Sequence, residues 1–479
     1  MTQQQSISTG SGHIETICGV RIRKRRTRMF IIFTAFVILA YFDPLLKREV
    51  GENPNNKLSP KETSSTNGDI IEADNTSDAA QLSSSSKSKS TADAIISSNY
   101  IFPIGMFPSS HSATICALDN GNLLASWFAG TEENAPDVAI YTSIYDSKKN
   151  SWQKNPNVAV NAFEPNENAC AISKGGDGCK MQYESLWNPV LVNKGNNELA
   201  LFYKTGKHPS VWEGYVKRLR NTGKIWDEQS TTKLPFNVIG PAKNKVLVEE
   251  GGLWLVPSSR EANSKDGSRN WKLIIERSHD YGETWDAREN VEIPFDGNAI
   301  QPSIWRGDDG FLRIVARTAT DYDDKGRRAD QIKIKKQTFI RGKKYIIYSK
   351  SLDLEGIRWM KAKPTSLPGP NSGIDCVKLK DGRVVIIYNH SWGLKSLGRG
   401  KLNVAISHDD GLTWKQSITI ENFDDGRLSD KNIDKNKKQK PIEMSYPAVI
   451  QDSKTELIHV VYTYDRQSIK HVVIDPSQL

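Results

Sequence analysis

SHDYGETW (residues 278–285) returns almost unchanged as SHDDGLTW (residues 407–414), so the chain repeats Ser-His-Asp-x-Gly-x-Thr-Trp. Each residue type that the two octapeptides share has a structural role in a tight turn between two strands. The Asp carboxylate accepts backbone N–H groups, the Gly supplies a positive φ and the Trp buries a large ring. Adjacent Ser, His and Asp side chains on one turn cannot form the relay of a catalytic triad. We therefore interpret both octapeptides as structural turns of a repeat architecture.

A longer unit also recurs, consisting of an apolar strand, a turn of Gly or Asp, and a second apolar strand. Its six copies are HSATICALDNGNLLASWFAG, LWNPVLVNKGNNELALFYKTG, KNKVLVEEGGLWLVPSSRE, QPSIWRGDDGFLRIVARTA, SGIDCVKLKDGRVVIIYNHS and SYPAVIQDSKTELIHVVYTYDR. Degenerate octapeptides occur at residues 143–152, 220–226 and 351–359. About four strands in each unit predict an all-β fold, a six-bladed β-propeller. The last unit lacks an outer strand, which we expect near ISSNYIFPIG (residues 96–105), closing the propeller.

Octapeptide turns on six blades resemble the Asp-box repeats of the sialidase (neuraminidase) superfamily. The segments SSHSATI, PDVAIY, GPAKNK, PNSGID, SYPAV and IKHV are similar to its branch of BNR-repeat, sialidase-like proteins. The resemblance extends from about residue 107 to residue 473. It implies a sialidase-like propeller whose ligand is an acidic glycan or oligosaccharide.

The N-terminal part has the pattern of a membrane anchor. Six basic residues between Arg21 and Arg28 precede an apolar run at residues 29–46, which as a helix would span about 27 Å. Positive charge on the N-terminal side predicts a cytoplasmic tail at residues 1–28 and a single-pass type II signal anchor at residues 29–46. A cleaved signal peptide is the alternative, but no clear small-x-small site follows the run.

The anchor implies a lipid bilayer as partner, in the Golgi or another membrane of the secretory pathway. Residues 47–95 are rich in Ser, Asn, Lys, Thr and Asp and predict a disordered lumenal stalk. Residues 96–479 then form the lumenal propeller. A nucleic-acid partner is not expected, because the basic block lies beside an apolar segment rather than among aromatic and polar residues.

Cysteine placement predicts one disulfide and no metal site. Cys170 and Cys179 bracket the Gly-rich loop CAISKGGDGC, which closes easily in an oxidising compartment. Cys116 and Cys376 lie in apolar runs and are expected to be buried thiols. Because the chain has no CxxC pair, zinc is a poor fit, and we expect no cofactor.

The inner strands of propeller blades end around the central axis, so polar residues far apart in sequence converge there. The candidates are His111, Asp137, Gln301, Arg317, Asp375, Asn389, Arg399, Tyr446 and Arg466. Arg317 is the most informative, because it follows the apolar FLRIVA and has no acidic neighbour in sequence. A planar guanidinium group suits bidentate capture of a carboxylate. We expect the three arginines, with Asp375 and Asn389, to bind substrate.

The resemblance to sialidases implies individual roles. Sialidases bind the sugar carboxylate with three Arg residues, attack with a Tyr that a Glu assists, and use an Asp as acid/base. By position, Arg317 resembles the second Arg and Arg399 the third. Tyr446 resembles the nucleophile, and Asp137 lies near the acid/base position, with Glu133 as the alternative.

Two positions depart from the family pattern. His111 stands where the first Arg is expected, ten residues before the turn glycine Gly121. Gln301 stands where the Glu that activates the Tyr is expected, and Gln cannot accept the phenolic proton. Glu443 is a possible replacement, but alternation along a strand would turn it to the face opposite Tyr446.

Three functional hypotheses follow, and all share an acidic sugar ligand. The first is a retaining glycosidase in which Tyr446 attacks and Asp137 is the acid/base. The second is a uronate lyase in which Arg317 and Arg399 neutralise the carboxylate while His111 and Tyr446 move protons. The third is a glycan-binding propeller without catalysis. Overall resemblance favours the first, whereas His111 and Gln301 favour the other two.

Overall fold

A computed structural model describes residues 91–161, 184–221, 226–264, 268–323, 328, 342–393, 398–423 and 442–479. The expected tail, anchor and nearly all of the stalk lie outside these residues, and so do Cys170 and Cys179 of the expected disulfide. Within the described ranges, no helix is long and apolar enough to cross a membrane. Cys116 and Cys376 are buried free thiols, as predicted.

The described regular structure consists of short helical turns and many strands. In chain order the elements are α1 (Thr91–Ala94), β1 (Ile95–Tyr100), β2 (Ser109–Ala117), β3 (Leu123–Gly130), β4 (Ala139–Asp146), β5 (Ser151–Trp152), β6 (Asn157–Val160), β7 (Leu186–Gly195), β8 (Glu198–Thr205), β9 (Glu213–Asn221), β10 (Trp226–Lys233), β11 (Leu247–Val248), β12 (Trp254–Asn263), β13 (Arg269–Ser278), β14 (Val291–Ile293), β15 (Ala299–Arg306), β16 (Leu312–Thr318), β17 (Tyr345–Lys350), β18 (Lys363–Pro368), β19 (Asp375–Lys378), β20 (Val384–Asn389), β21 (Lys401–Ser407), β22 (Lys415–Asn422), β23 (Met444–Gln451), β24 (Ile458–Tyr464) and β25 (Ser468–Ile474). Single 3₁₀ turns lie at Pro209–Val211, Glu250–Gly252, Ala287–Glu289 and Pro476–Gln478.

The strands form six antiparallel sheets, which confirms the predicted six-bladed propeller. Blade 1 holds β2–β5, with β6 beside β4, and blades 2 to 5 hold β7–β10, β11–β14, β15–β18 and β19–β22. Blade 6 holds β23–β25 and is completed by β1, which pairs with β25 from Ile95 opposite Ile474 to Tyr100 opposite Lys470. The N-terminal strand therefore closes the propeller where the sequence predicts it.

The octapeptides are structural turns, as interpreted from their chemistry. Ser278 Oγ donates to Asp280 Oδ1 at 2.8 Å, and Asp280 accepts the Thr284 N–H at 2.8 Å. Gly282 has φ 81°, and a Cβ there would lie 2.4 Å from the Trp254 ring. The second octapeptide repeats the hydrogen-bond pattern. The turns are thus held by local bonds and by a position that only glycine fits.

The apolar core is distributed between blades rather than gathered in one centre. Six clusters of buried apolar side chains are present among the described residues, and each spans two neighbouring blades. One joins Ile275 of blade 3 to Ile314 of blade 4, and another joins Val385 of blade 5 to Val460 of blade 6. Every blade therefore buries both faces only when the propeller is closed.

A buried histidine pair lies where blade 6 meets blade 1. Trp152 Nε1 donates to His471 Nδ1 at 3.2 Å, and His471 Nε2 lies 3.0 Å from His459 Nδ1. Burial lowers the pKa of His459 to about 4, and burial together with His459 lowers the pKa of His471 to about 3. Both imidazoles are therefore neutral in the folded chain at pH 7.

We expect this pair to make folding stability fall as the solution is acidified. Unfolded histidine has a pKa of about 6.5, so below that pH the unfolded chain binds more protons than the folded chain. The contribution of the two neutral histidines to the free energy of unfolding is complete above about pH 6.5. As the pH falls below that value, it is lost at up to about 1.4 kcal/mol per pH unit for each histidine. Denaturant unfolding from pH 7.5 to 5.0 should show a shallower pH dependence in His471→Gln, which keeps an acceptor for Trp152. The exposed His408→Gln is the control, and equal slopes in all three proteins would refute the prediction.

Candidate functional site

Equivalent positions of the two inner strands of every blade surround the axis. A backbone hydrogen bond closes the turn between the two inner strands of a blade, as the Gly307 N–H donates to the Phe311 carbonyl in blade 4. On the first strand, the axial position lies six residues before the donor of this bond, which is Gln301 in blade 4. The first axial set, in blade order, is Ser112, Asn188, Lys243, Gln301, Gly373 and Tyr446. On the second strand the position lies six residues after the carbonyl of that turn, as Arg317 lies after Phe311. The second axial set is Phe128, Lys204, Ser259, Arg317, Asn389 and Thr463.

Four members of the first axial set have left-handed backbone. Ser112, Asn188, Gln301 and Tyr446 have φ of 56°, 30°, 55° and 53°, and each lies at a break in the pairing register of its strand. Such a conformation is uncommon for residues other than glycine, and a bulge re-aims the side chain that it carries. The repeated bulge therefore interrupts the alternation of inner-strand side chains at the axis.

Tyr446 lies on the axis, because residues of four other blades contact it. The ring centroid of His111 is 4.1 Å from that of Tyr446. The guanidinium carbons of Arg317 and Arg399 are each 5.6 Å from the phenol centroid, and Lys243 Nζ is 5.9 Å from it. Close cations favour a negative charge on a ligand beside the ring.

Lys243 and Gly373 pack closely against the Tyr446 ring. Lys243 is buried, and its Nζ donates to the carbonyl oxygens of Ile374 at 3.1 Å and Pro447 at 2.5 Å. Burial lowers the pKa of Lys243 to about 7. A Cβ on Gly373 would lie 3.0 Å from Lys243 Cε and 3.1 Å from the Tyr446 ring. Glycine at this axial position leaves room for the other two side chains.

Arg317 is a buried cation whose hydrogen-bond partners are all neutral. Its side chain donates from Nε to Asn371 Oδ1 at 2.9 Å, and from Nη1 to Gln301 Oε1 at 3.1 Å and the Tyr446 hydroxyl at 2.7 Å. The residue is only 7% exposed. No carboxylate of the described residues forms an ion pair with it, and Nη2 has no hydrogen-bond partner within that part of the chain.

Arg399 and Arg466, in contrast, are both paired with Glu443. Arg399 Nη1 donates to Glu443 Oε1 at 2.6 Å, and Arg466 Nε donates to Glu443 Oε2 at 2.9 Å. Ser445 Oγ also donates to Glu443 Oε1, and Arg466 Nη1 reaches Glu133 Oε2 at 2.6 Å. The expectation that Glu443 faces away from the site is wrong, because it precedes the first residue of β23 and does not follow the alternation of that strand.

Two titratable groups of the site, His111 and Glu443, have strongly shifted pKa values. Burial, followed by the charge of Arg466, lowers the pKa of His111 well below its ordinary value, so the imidazole is neutral at pH 7. Its Nδ1 lies 2.8 Å from the Thr463 hydroxyl. Burial would raise the pKa of Glu443, but His111, Arg399 and Arg466 lower it well below its usual range. Because His111 is neutral at pH 7, the two arginines keep this carboxylate ionised there.

A cavity of about 760 Å³ opens beside these arginines. It is lined by Pro108, Ser109, Thr131, Glu132, Glu133, Pro370, Gly393, Gly398, Arg399, Ile442, Glu443, Asp465, Arg466 and Gln467. Asn371 links the cavity wall to the axis, since its carbonyl accepts from Arg399 at 3.2 Å while its side chain accepts from Arg317. The volume and the few converging charges are typical of a small-molecule site. We call this the axial cavity.

Asp137 lies behind the wall of the axial cavity rather than in its lining. Its Oδ2 accepts the backbone N–H of Thr131 at 2.9 Å and the Thr131 hydroxyl at 2.6 Å. Its Oδ1 is sealed from solvent and has no hydrogen-bond partner among the described residues. Glu133, the alternative acid/base, lines the cavity directly and is paired with Arg466.

The structure places Asp375 in the core, contrary to the expectation that it binds substrate. Its carboxylate accepts from Lys245 Nζ at 2.8 Å, from Ser303 Oγ at 2.7 Å and from the Val449 N–H at 2.9 Å. These donors belong to three different blades, and Asp375 is 1% exposed. Because both carboxylate oxygens are engaged inside the protein, Asp375 joins blades instead of contacting a ligand.

Asn389 and Gln301 act on the arginines. Asn389 is buried, and its Nδ2 donates to the carbonyl oxygens of Met444 at 2.7 Å and Arg399 at 3.3 Å. Gln301 offers its Oε1 to Arg317. Asn389 therefore fixes the backbone that carries Arg399 instead of lining the pocket as expected, and Gln301 orients Arg317 within the site.

Sequence reasoning missed Lys243, Asn371 and Glu261. Burial raises the pKa of Glu261 to about 7, and the charge of Arg317 acts on it. Counting from the turn in each repeated unit would have found Lys243, since GPAKNK occupies the position that SYPAV fills with Tyr446. No comparable signal marks Asn371, which lies in an irregular segment before β19. Over the described part of the chain, no group of three or more His, Cys, Asp or Glu residues could hold a metal ion.

Comparison with solved structures supports the same architecture. A protein of unknown function from Dyadobacter fermentans is 15% identical with a TM-score of 0.53, over 80% of this chain and 98% of that one. Trypanosoma rangeli sialidase is 13% identical with a TM-score of 0.50, over 77% of this chain and 55% of that one. The chain thus spans about half the length of the trypanosome enzyme, and at these identities the likeness concerns the fold.

Comparison by sequence identifies the family. A search of curated proteins finds no match to the chain. The family model of the BNR repeat-like domain matches residues 121–460, which is more than half of the sequence. With its Asp-box turns and six blades, the chain belongs to the BNR repeat-like domain family, and its fold resembles that of Trypanosoma rangeli sialidase.

Proposed function

We propose that the protein is a glycoside hydrolase that binds the carboxylate of a terminal acidic sugar at Arg317, which Asn371 joins to Arg399 in the wall of the axial cavity. The observation that carries this proposal is the buried guanidinium of Arg317, whose described partners are all neutral. A buried charge is costly unless it is paired. A ligand carboxylate would supply the missing charge, and the free Nη2 would donate to it. The sialidase-like fold agrees with this proposal, and a related structure of Trypanosoma rangeli sialidase holds sialic acid.

Tyr446 is the proposed nucleophile. Arg317 donates a hydrogen bond of 2.7 Å to its hydroxyl and would stabilise the phenolate that develops during attack. The phenolic oxygen bonds to the anomeric carbon as the glycosidic bond breaks. Glu133, the alternative acid/base and the one that lines the axial cavity, gives a proton to the leaving oxygen, and neutral His111 accepts the phenolic proton. Water then attacks the anomeric carbon, and the bond to Tyr446 breaks. The phenolate takes its proton back from His111, and the acid/base carboxylate takes a proton from the water.

A uronate lyase is the second candidate, and the surroundings of the Tyr446 hydroxyl favour it. Among the described residues no carboxylate bonds to this hydroxyl, while the neutral ring of His111 packs on the phenol. In a lyase, Arg317 and Arg399 would neutralise the uronate carboxylate. His111 or Tyr446 would remove the proton beside it, and the other would protonate the leaving oxygen. The product carries a new carbon–carbon double bond.

Product analysis on the purified protein separates these functions. The substrates are sialyllactose, oligosaccharides that end in a uronate, and oligosaccharides that carry a sugar on O4 of a uronate, because elimination beside the carboxylate expels the oxygen on C4. Both reducing sugar and the ultraviolet absorbance of an unsaturated product are followed. Reducing sugar without absorbance supports the hydrolase. Absorbance overturns it in favour of the lyase, and binding without either product overturns both in favour of a glycan-binding propeller.

A further inference from the structure

A second cavity, of about 460 Å³, lies between blades 2 and 3. Its walls include Trp212 after β8, Phe236 in the turn after β10, and Glu261 near the end of β12. The chemistry proposed for the axial cavity does not use it. We call this second space the side cavity.

Phe236 presents an apolar ring at the edge of the side cavity. It is 89% exposed, more than any other large apolar side chain in the described residues. The turn that carries it is held in place, since the Glu276 carboxylate accepts the N–H groups of Ile239 at 3.0 Å and Gly240 at 2.8 Å. A Cβ on Gly214 would lie 2.6 Å from the Ile239 backbone, so the turn packs closely on blade 2. An exposed ring on a fixed turn is a preorganised stacking surface.

Glu261 offers the side cavity an unused acceptor. Neither of its oxygens forms a hydrogen bond of normal geometry with the described residues, although Ser259 is close enough to oppose part of the rise in its pKa. Oε1 is sealed from solvent without a hydrogen-bond partner in the described structure, and the residue lines the side cavity. An acceptor withdrawn from water without a donor is unfavourable, and a ligand hydroxyl would relieve that cost.

We propose that the side cavity binds a neutral sugar, whose ring stacks on Phe236 while a hydroxyl donates to Glu261. A cationic ligand is disfavoured, because Arg317 and Lys204 already act on Glu261. An anionic ligand is disfavoured by Glu261 itself and by Glu276 behind it. Pyranoses combine an apolar face with hydroxyl donors, and the volume lies in the usual range for small-molecule sites. The inference does not depend on which reaction the axial cavity performs.

Calorimetric and saturation-transfer NMR titrations with lactose, N-acetyllactosamine and cellobiose test the proposal. We expect at least one of these neutral disaccharides to bind. Phe236→Ala should weaken that binding by roughly 2- to 12-fold, the loss of one stacking contact. Glu261→Ala should weaken it by about tenfold, and Glu261→Gln, which keeps an acceptor oxygen, should lose less. No binding by any disaccharide, or equal affinity in Phe236→Ala, would overturn the proposal.

Two further variants keep this test separate from that of the axial cavity. Leu412→Ala removes an apolar side chain that is 67% exposed in the second octapeptide and should leave disaccharide binding unchanged. Arg317→Ala, titrated with acidic sugars only, tests the axial cavity and should weaken their binding. If Phe236→Ala weakens lactose and Arg317→Ala leaves acidic sugars unaffected, the side cavity stands and the axial proposal fails. If Phe236→Ala leaves lactose binding unchanged and Arg317→Ala weakens acidic sugars, the side-cavity proposal fails and the axial proposal stands.

Discussion

Arg317→Ala is expected to weaken binding of an acidic sugar by about one to two decades. A charged hydrogen bond contributes roughly 1.5 to 3 kcal/mol, and Arg317 is a buried guanidinium without a carboxylate partner among the described residues. Arg317→Lys keeps the charge but not the planar fork, so it should recover only part of the loss. Calorimetric titration with free sialic acid and free glucuronic acid measures both effects.

Thermal unfolding of the same variants separates ligand binding from structure. Removing an unpaired buried charge relieves a desolvation cost, so Arg317→Met should leave the melting temperature unchanged or raise it. Arg313→Met on the same strand is the matched control, because Arg313 bonds to Asp309 at 2.6 Å and lies within 3.5 Å of Asp410. It should lower the melting temperature and spare affinity. A destabilised Arg317→Met with unchanged affinity for both acids would remove the carboxylate site from the proposed function.

Tyr446→Phe is expected to lower turnover by at least about a thousandfold while the ligand still binds. The substitution removes only the hydroxyl, and a phenyl ring keeps the packing against His111, Lys243 and Gly373. A nucleophile or proton donor acts in the transition state, so its loss reduces kcat far more than ligand affinity. Initial rates and a binding titration on the folded variant measure the two quantities.

Trapping distinguishes the roles that Tyr446 has in the two enzymatic hypotheses. Rapid quenching of the wild-type reaction followed by peptide mass analysis should show a glycosyl adduct on Tyr446 if the enzyme is a hydrolase. A lyase gives the rate loss in Tyr446→Phe without any adduct. Tyr348→Phe is the control, since its hydroxyl, on a residue within β17, is sealed from solvent without a hydrogen-bond partner in the described structure. A Tyr446→Phe variant with wild-type turnover would exclude Tyr446 from either mechanism.

The fold could be predicted from the sequence because its signals are local. An Asp that accepts turn N–H groups, a Gly with positive φ and a Trp that covers the turn all lie within one octapeptide, as Asp280, Gly282 and Trp285 do. Repetition of such turns with short apolar strands fixes the number of blades. The pairing of the N-terminal strand with the last blade could also be predicted, because the last repeated unit is one strand short.

Only the tertiary structure decided which side chains meet at the axis and what they do there. Arg317 and Tyr446 are 129 residues apart and belong to different blades, so their contact depends on how all the blades close. Left-handed bulges at Gln301 and Tyr446 break the alternation on which side-chain direction is predicted from sequence. Asp375, a residue type that often binds ligands, lies in the core, because donors from three other blades bond to its carboxylate. The turns depend on interactions between neighbouring residues, so the sequence predicts them. The site depends on packing between segments that are far apart in the chain, so only the tertiary structure shows it.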